Sequence, residues 1–193
     1  GTRTTIAMQA AEVLGVAAED VHPAVGDTDS VGYSDLTAGS RTTYAVGTAA
    51  IEAARLIVDE MKQRMAMIWE TEAANVEHAG GVFINTKAPD QHFTFKEAAA
   101  KLGQEYQEAT NTIAAGTGAT GEQLEGLTQS FRDVWKEVPQ DAAAVSAAIA
   151  DVNTEMGLEG DALEDVTRAF LDVSRAMGEE ASPMIKAVAD SMI

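Results

Sequence analysis

Apolar residues recur at Ile51, Ala54, Ile57/Val58, Met61, Met65 and Ile68, steps of three and four that draw one stripe on a helix. The stretch 44–69 that carries this stripe has no proline and a single glycine, Gly47. It reads as the longest helix of the chain, and the methionines of its stripe read as core rather than as an interaction surface. Before it, residues 4–14 predict a first helix with Ile6, Ala10, Val13 and Leu14 inward. Gly15 follows, where a left-handed C-cap is wanted. Residues 21–25 read as a short strand. Residues 75–78 and 82–84 flank Ala79-Gly80-Gly81 and read as a small hairpin with a glycine turn. His92-Phe93-Thr94 can add a third strand. Thr94-Phe95-Lys96-Glu97 is a capping box, because Glu97 can reach back to the amide of Thr94. It opens a short helix over 95–102.

From Gln104 the strand signals stop. Residues 105–115 are helical in pattern, and Gly116-Thr117-Gly118-Ala119-Thr120-Gly121 breaks the helix. An internal repeat follows, residues 118–134 aligning with 157–173 at an offset of 39 without a gap. Leu124, Leu127, Phe131 and Val134 mark the buried face of the first copy; Leu163, Val166, Phe170 and Val173 mark it in the second. Each copy is followed by another helix. One is opened by Pro139-Gln140-Asp141; the other by Ser182-Pro183, with serine as cap and proline at the first helical position. Two helices per unit of about forty residues is the sign of an α-hairpin repeat, which buries its faces by stacking. The fold expected is an α+β N-terminal half (1–103; long helix, short strands, hairpin) joined to an all-α half of two helical-hairpin repeats (104–193).

A segment joining a polar loop to the long helix, Thr37-Ala38-Gly39-Ser40-Arg41-Thr42-Thr43-Tyr44, holds the site-like chemistry. Gly39-Ser40 can supply a turn and an N-cap, since a serine hydroxyl accepts from the unpaired amides of a first turn. Those amides, the hydroxyls and Arg41 can make an anion seat; on spacing alone the plain helix cap is the favoured reading of Ser40. The loop before it carries Asp27, Asp29 and Asp35, without the glycine and terminal glutamate of a calcium loop, so solvated carboxylates are expected. His22, His78 and His92 show no ligand spacing, and no metal site is expected. Residues 116–121 lack the lysine of a P-loop. Ser40 has no base at a triad's spacing.

Two resemblances add to this reading. Gly1-Thr2-Arg3-Thr4-Thr5-Ile6-Ala7-Met8-Gln9, then Gly26-Asp27-Thr28-Asp29, then the segment from Thr37 to Tyr44, resemble the large, molybdopterin-binding subunit of the xanthine dehydrogenase and aldehyde oxidase family, over about residues 1–102. The resemblance implies molybdopterin as cofactor, with Thr37, Ser40, Arg41 and Thr42 contacting the pterin or its phosphate. It implies no catalytic residue, because the family's downstream glutamate base has no counterpart before the helical repeats begin. One loop and one helix do not close a cofactor pocket, so other domains or subunits are implied as partners and catalysis by this chain alone is not expected. Ala115-Gly116-Thr117-Gly118-Ala119-Thr120-Gly121-Glu122, Leu124-Glu125-Gly126-Leu127, Val138-Pro139-Gln140-Asp141 and Ile149-Ala150-Asp151-Val152-Asn153-Thr154 are similar to phage tail tape-measure proteins, over about 106–193. That likeness implies tail proteins as partners and a place in the virion tail. Three readings follow: an oxidoreductase fragment, a virion structural protein, or an accidental fusion of the two, with the molybdenum hydroxylase placed first.

Composition narrows the partners. Lys and Arg number 13 against 31 Asp and Glu, a net charge of −18 over 193 residues, which repels nucleic acid and anionic membranes. Residues 1–103 carry eight basic and fourteen acidic groups; residues 104–193 carry five and seventeen, as two separate origins would leave them. Apolar residues make up 46% and aromatics 5%, so small side chains in closely approaching helices are expected to form the core. There is no cysteine, hence no disulfide and no thiolate metal site. With no membrane span and no secretory pattern, a cytoplasmic location is expected under the first reading.

Overall fold

The computed structural model describes residues 1–24, 38 and 40–192. The chain divides into two compact units, Gly1–Ala99 and Ala100–Ile193. The fold is α+β in the first and all-helical in the second.

In the first unit α1 (Thr2–Leu14) packs on α2 (Gly47–Ile68), and α2 also meets the sheet. α1 buries Ala7 and Ala11, with Ile6, Ala10, Val13 and Leu14 only partly covered. The closest face is the alanine one because two helix backbones approach best where side chains are smallest. On α2 the predicted stripe holds at Ala54, Val58, Met61 and Met65, whereas Ile57 is 47% exposed. Arg64 is buried beside the stripe and pairs with Glu60 at 2.9 Å. Residues 21–24 form no strand; a short apolar run makes one only where a neighbour supplies a ladder.

The sheet is antiparallel in the order β1 (Val76–Ala79), β2 (Val82–Asn85), β3 (His92–Thr94). Ala79 pairs with Val82 across Gly80 and Gly81, whose φ of 56° and 79° are those of a tight two-residue hairpin turn. Phe83 faces Phe93 across β2 and β3 and is fully buried. Its ring lies 4.6 Å from that of His78 and 6.3 Å from that of Phe95. The capping box forms: the Thr94 amide donates to Glu97 Oε2 at 2.8 Å, and the Glu97 amide donates to Thr94 Oγ1 at 3.3 Å.

The helix that this box opens does not stop at 102. α3 (Phe95–Thr117) runs unbroken through Gly103. One interior glycine costs about 1 kcal/mol. The pairs Lys101–Glu105 and Gln104–Glu108, each four residues apart, offset part of it.

The second unit continues with α4 (Gly121–Glu137), α5 (Ala142–Met156), α6 (Gly160–Met177) and α7 (Ala181–Ser191). The 39-residue repeat is repeated in backbone geometry. Gly118 and Gly157 have φ of 71° and 66°, Gly121 and Gly160 both 57°, and Thr120 and Glu159 are extended at −142° and −140°. Ile113, Phe131, Val134, Val145, Ile149, Val152, Leu163 and Ile185 lie in one buried cluster. Asp141 caps α5 by accepting from the Ala144 amide at 2.7 Å. α7 departs from expectation: it starts at Ala181 with Glu180 as N-cap, no side chain capping it, and Pro183 stands third. A proline is tolerated throughout the first turn, where amides have no helical partner. In α6 the buried positions are Leu163, Thr167 and Leu171; Val166 and Phe170 are half-covered and Val173 is 48% exposed.

Candidate functional site

Of the four residues expected to contact a cofactor, Thr37 lies outside the described residues, as do Asp27, Asp29 and Asp35. The other three open the long helix, in a way the spacing did not foretell. Residues 42–46 form a π turn, Thr42–Val46, ahead of α2. Single π turns are rare and recur at functional sites. Ser40 precedes it with φ of 62°, a left-handed conformation uncommon for a residue with a side chain. Its carbonyl accepts from the Tyr44 amide at 3.2 Å.

Ser40 is therefore not the N-cap that was expected. An N-cap takes extended backbone angles so that its hydroxyl can turn back over the first amides. Here the residue ahead of the π turn is Arg41, in helical conformation, and no side chain makes a capping bond. Ser40 and Arg41 are exposed and Thr42 is partly covered.

α1 holds this turn in place. Gln9 Nε2 donates to the Thr43 carbonyl at 3.2 Å. The carboxamide thereby ties the π turn to α1 from outside the helix. The same side chain fills the space over Gly47, where a β-carbon would lie 2.0 Å from Gln9 Oε1. Gln9 Oε1 is itself buried without a hydrogen-bond partner among the described residues. Gln9 and Gly47 thus belong to the frame of the candidate site, which residue spacing alone does not reveal. The available signal was Gly47, alone in an otherwise glycine-free helix.

The donor set is chemically suited to an anionic, hydrogen-bonding group: hydroxyls at Ser40 and Thr42, a guanidinium at Arg41, and the start of a helix. It fits the phosphate and polar edge of a pterin. It does not enclose one, since Ser40 and Arg41 face outward. A cavity of about 430 Å³ near the start of α1 is lined by Arg3, Thr4, Ala7, Glu19, His22 and Pro23, and not by residues 40–42. Among the described residues no three His, Asp or Glu side chains converge on a metal-sized space. None of their helices is long and apolar enough to cross a membrane.

Comparison with known proteins bears on this geometry. The family model of the molybdopterin cofactor-binding domain matches residues 1–158. The match takes in α1, the π turn, α2 and the sheet, and runs past Gly103 through α4 and α5. No curated protein matches, and no solved structure matches. The likeness of residues 106–193 to tape-measure proteins, and with it the fusion reading, gains no support from these comparisons.

Proposed function

The chain belongs to the molybdopterin cofactor-binding domain family, and from that premise we propose that it is a fragment of a molybdenum hydroxylase subunit of the xanthine dehydrogenase and aldehyde oxidase kind. In this reading Thr37, Ser40, Arg41 and Thr42 hold the pterin or its phosphate. Arg41 supplies the charge, Ser40 and Thr42 the hydroxyls, and the left-handed turn at Ser40 aims them. Gln9 positions the turn through Thr43 and touches no cofactor itself. The group, when bound, would supply two-electron oxidation of the substrate; no residue of this chain is assigned as a base. The observation that carries the reading is the Gln9–Thr43 bond, which joins the two segments of the family resemblance into one frame.

The pocket is completed by other subunits or domains, because residues 40–42 form one open wall. The test is molybdenum and pterin content of the full chain, purified from a host that makes the cofactor. Cofactor bound in proportion to the chain, and lost on Arg41→Ala with the fold intact by circular dichroism, supports the reading. A chain that takes up no cofactor even when mixed with a cofactor source and with the separately supplied domains that close the pocket overturns it.

A further inference from the structure

The two copies of the repeat differ in which side of each helix is covered, and that difference exposes two matching surfaces. Leu127, Phe131, Val134, Val138 and Ile149 are buried, all at 6% exposure or less. Thirty-nine residues on stand Val166 and Phe170, half-covered, then Val173, Met177 and Val188 at 48%, 61% and 42%. All five positions remain apolar. Positions fully covered in the first copy and partly or largely uncovered in the second are those that face the next repeat in a stack.

The reverse set identifies the opposite side. Val145, Leu163, Thr167 and Leu171 are buried at 1% or less, whereas of their counterparts one repeat earlier Arg132 is exposed, Tyr106 and Leu124 are half-covered, and Thr128 is buried at the floor of the same side. These four line an open groove of about 580 Å³ together with Thr110 and Gln129. The Thr128 hydroxyl is enclosed there without a hydrogen-bond partner among the described residues. The α4–α6 packing inside the chain already joins one such face to one such receiving side.

We propose that the chain self-associates head to tail: Phe170, Val173, Met177 and Val188 of one copy seat in the groove of Leu124, Thr128 and Arg132 of a second, continuing the internal 39-residue stack. Such a contact is heterologous, so it leaves one face and one groove free and propagates. Acidity opposes it. Residues 104–193 carry seventeen acidic against five basic groups, and association strengthens as salt screens that repulsion. This proposal stands apart from the pterin reading, and neither falls with the other.

Sedimentation velocity of the full chain over a range of concentrations, at low and high salt, tests it. The expected result is growth beyond dimer, favoured by salt. Val173→Glu and Leu124→Glu each weaken association by about tenfold or more, while an equimolar mixture of the two gives a species of two chains, since one keeps a groove and the other a face. If circular dichroism shows Leu124→Glu unfolded, Arg132→Glu, at an exposed position of the same groove, replaces it. A chain monomeric at every concentration and salt overturns the proposal. So does loss of association on Val173→Glu with none on either groove variant, which would mean that two faces meet each other.

Discussion

Gly15, which ends α1, lies backbone to backbone against Gly81 in the β1–β2 turn: a β-carbon on Gly15 would stand 2.1 Å from Gly81 Cα, and one on Gly81 would stand 2.1 Å from the Gly15 carbonyl oxygen. Both residues are left-handed, at φ of 66° and 79°. Each glycine thus answers two demands at once, a conformation and a clearance. This contact joins the helix that frames the candidate site to the sheet that anchors α2.

Gly81→Ala should cost about 3 kcal/mol or more, since the added methyl meets main chain that cannot move aside. Gly80→Ala, in the same turn with open space around it, should cost about 1 kcal/mol from its φ alone. Urea unfolding of the two variants checks the ratio; equal losses would remove the close contact as the cause.

His78, beside Phe83, makes stability depend on pH. Burial pushes its imidazole below the ordinary value of 6.5, a hydrogen bond to the Leu14 backbone opposes this, and Lys62 adds to the lowering. The unfolded chain therefore binds the proton more readily. Stability is full above about pH 6.5 and falls as the pH drops from there toward the lowered folded value. His78→Gln should flatten that step in a series of unfolding curves, leaving the carboxylate-driven loss below about pH 4.5 in place.

Thr94→Ala removes the hydroxyl that accepts from the Glu97 amide, and should destabilise by about 1 kcal/mol. The Glu97 carboxyl, held below its usual range by the Thr94 amide and then its hydroxyl, should titrate closer to normal in that variant. Carboxyl chemical shifts followed through a pH titration read this directly.

Ser40→Gly separates a strained turn from a cap. Relief of the left-handed φ should stabilise by about 0.5 kcal/mol, whereas losing a true N-cap to glycine would cost a few tenths. The sign of the change in thermal unfolding decides.

Phe131→Ala and Phe170→Ala are equivalent changes in the two copies of the repeat. The first empties a fully buried site and should cost about 3–5 kcal/mol; the second, half-covered, should cost about 1 kcal/mol.

Features set by neighbours in the chain were legible in the sequence. The αL end at Gly15, the Gly80-Gly81 hairpin, the capping box at Thr94 and the 39-residue repeat are each written within a few residues or in plain self-similarity. So was the buried stripe at Ala54, Val58, Met61 and Met65, because a helical period follows from backbone geometry alone. The hydroxyls and guanidinium at 40–42 can be read from the sequence, but their conformation cannot.

Tertiary structure decided what packing alone can choose. Spacing could not tell that α1 would offer Ala7 and Ala11, that α3 would run through Gly103, or that α6 would turn Leu163 and Leu171 inward and leave Val173 bare. Nor could it show Gln9 reaching Thr43 to hold a π turn. A period says which residues share a face, and the sequence of this chain states its faces clearly. Which face is buried, and how far a helix continues, depends on what lies opposite, and that is a matter of free energy between segments distant along the chain.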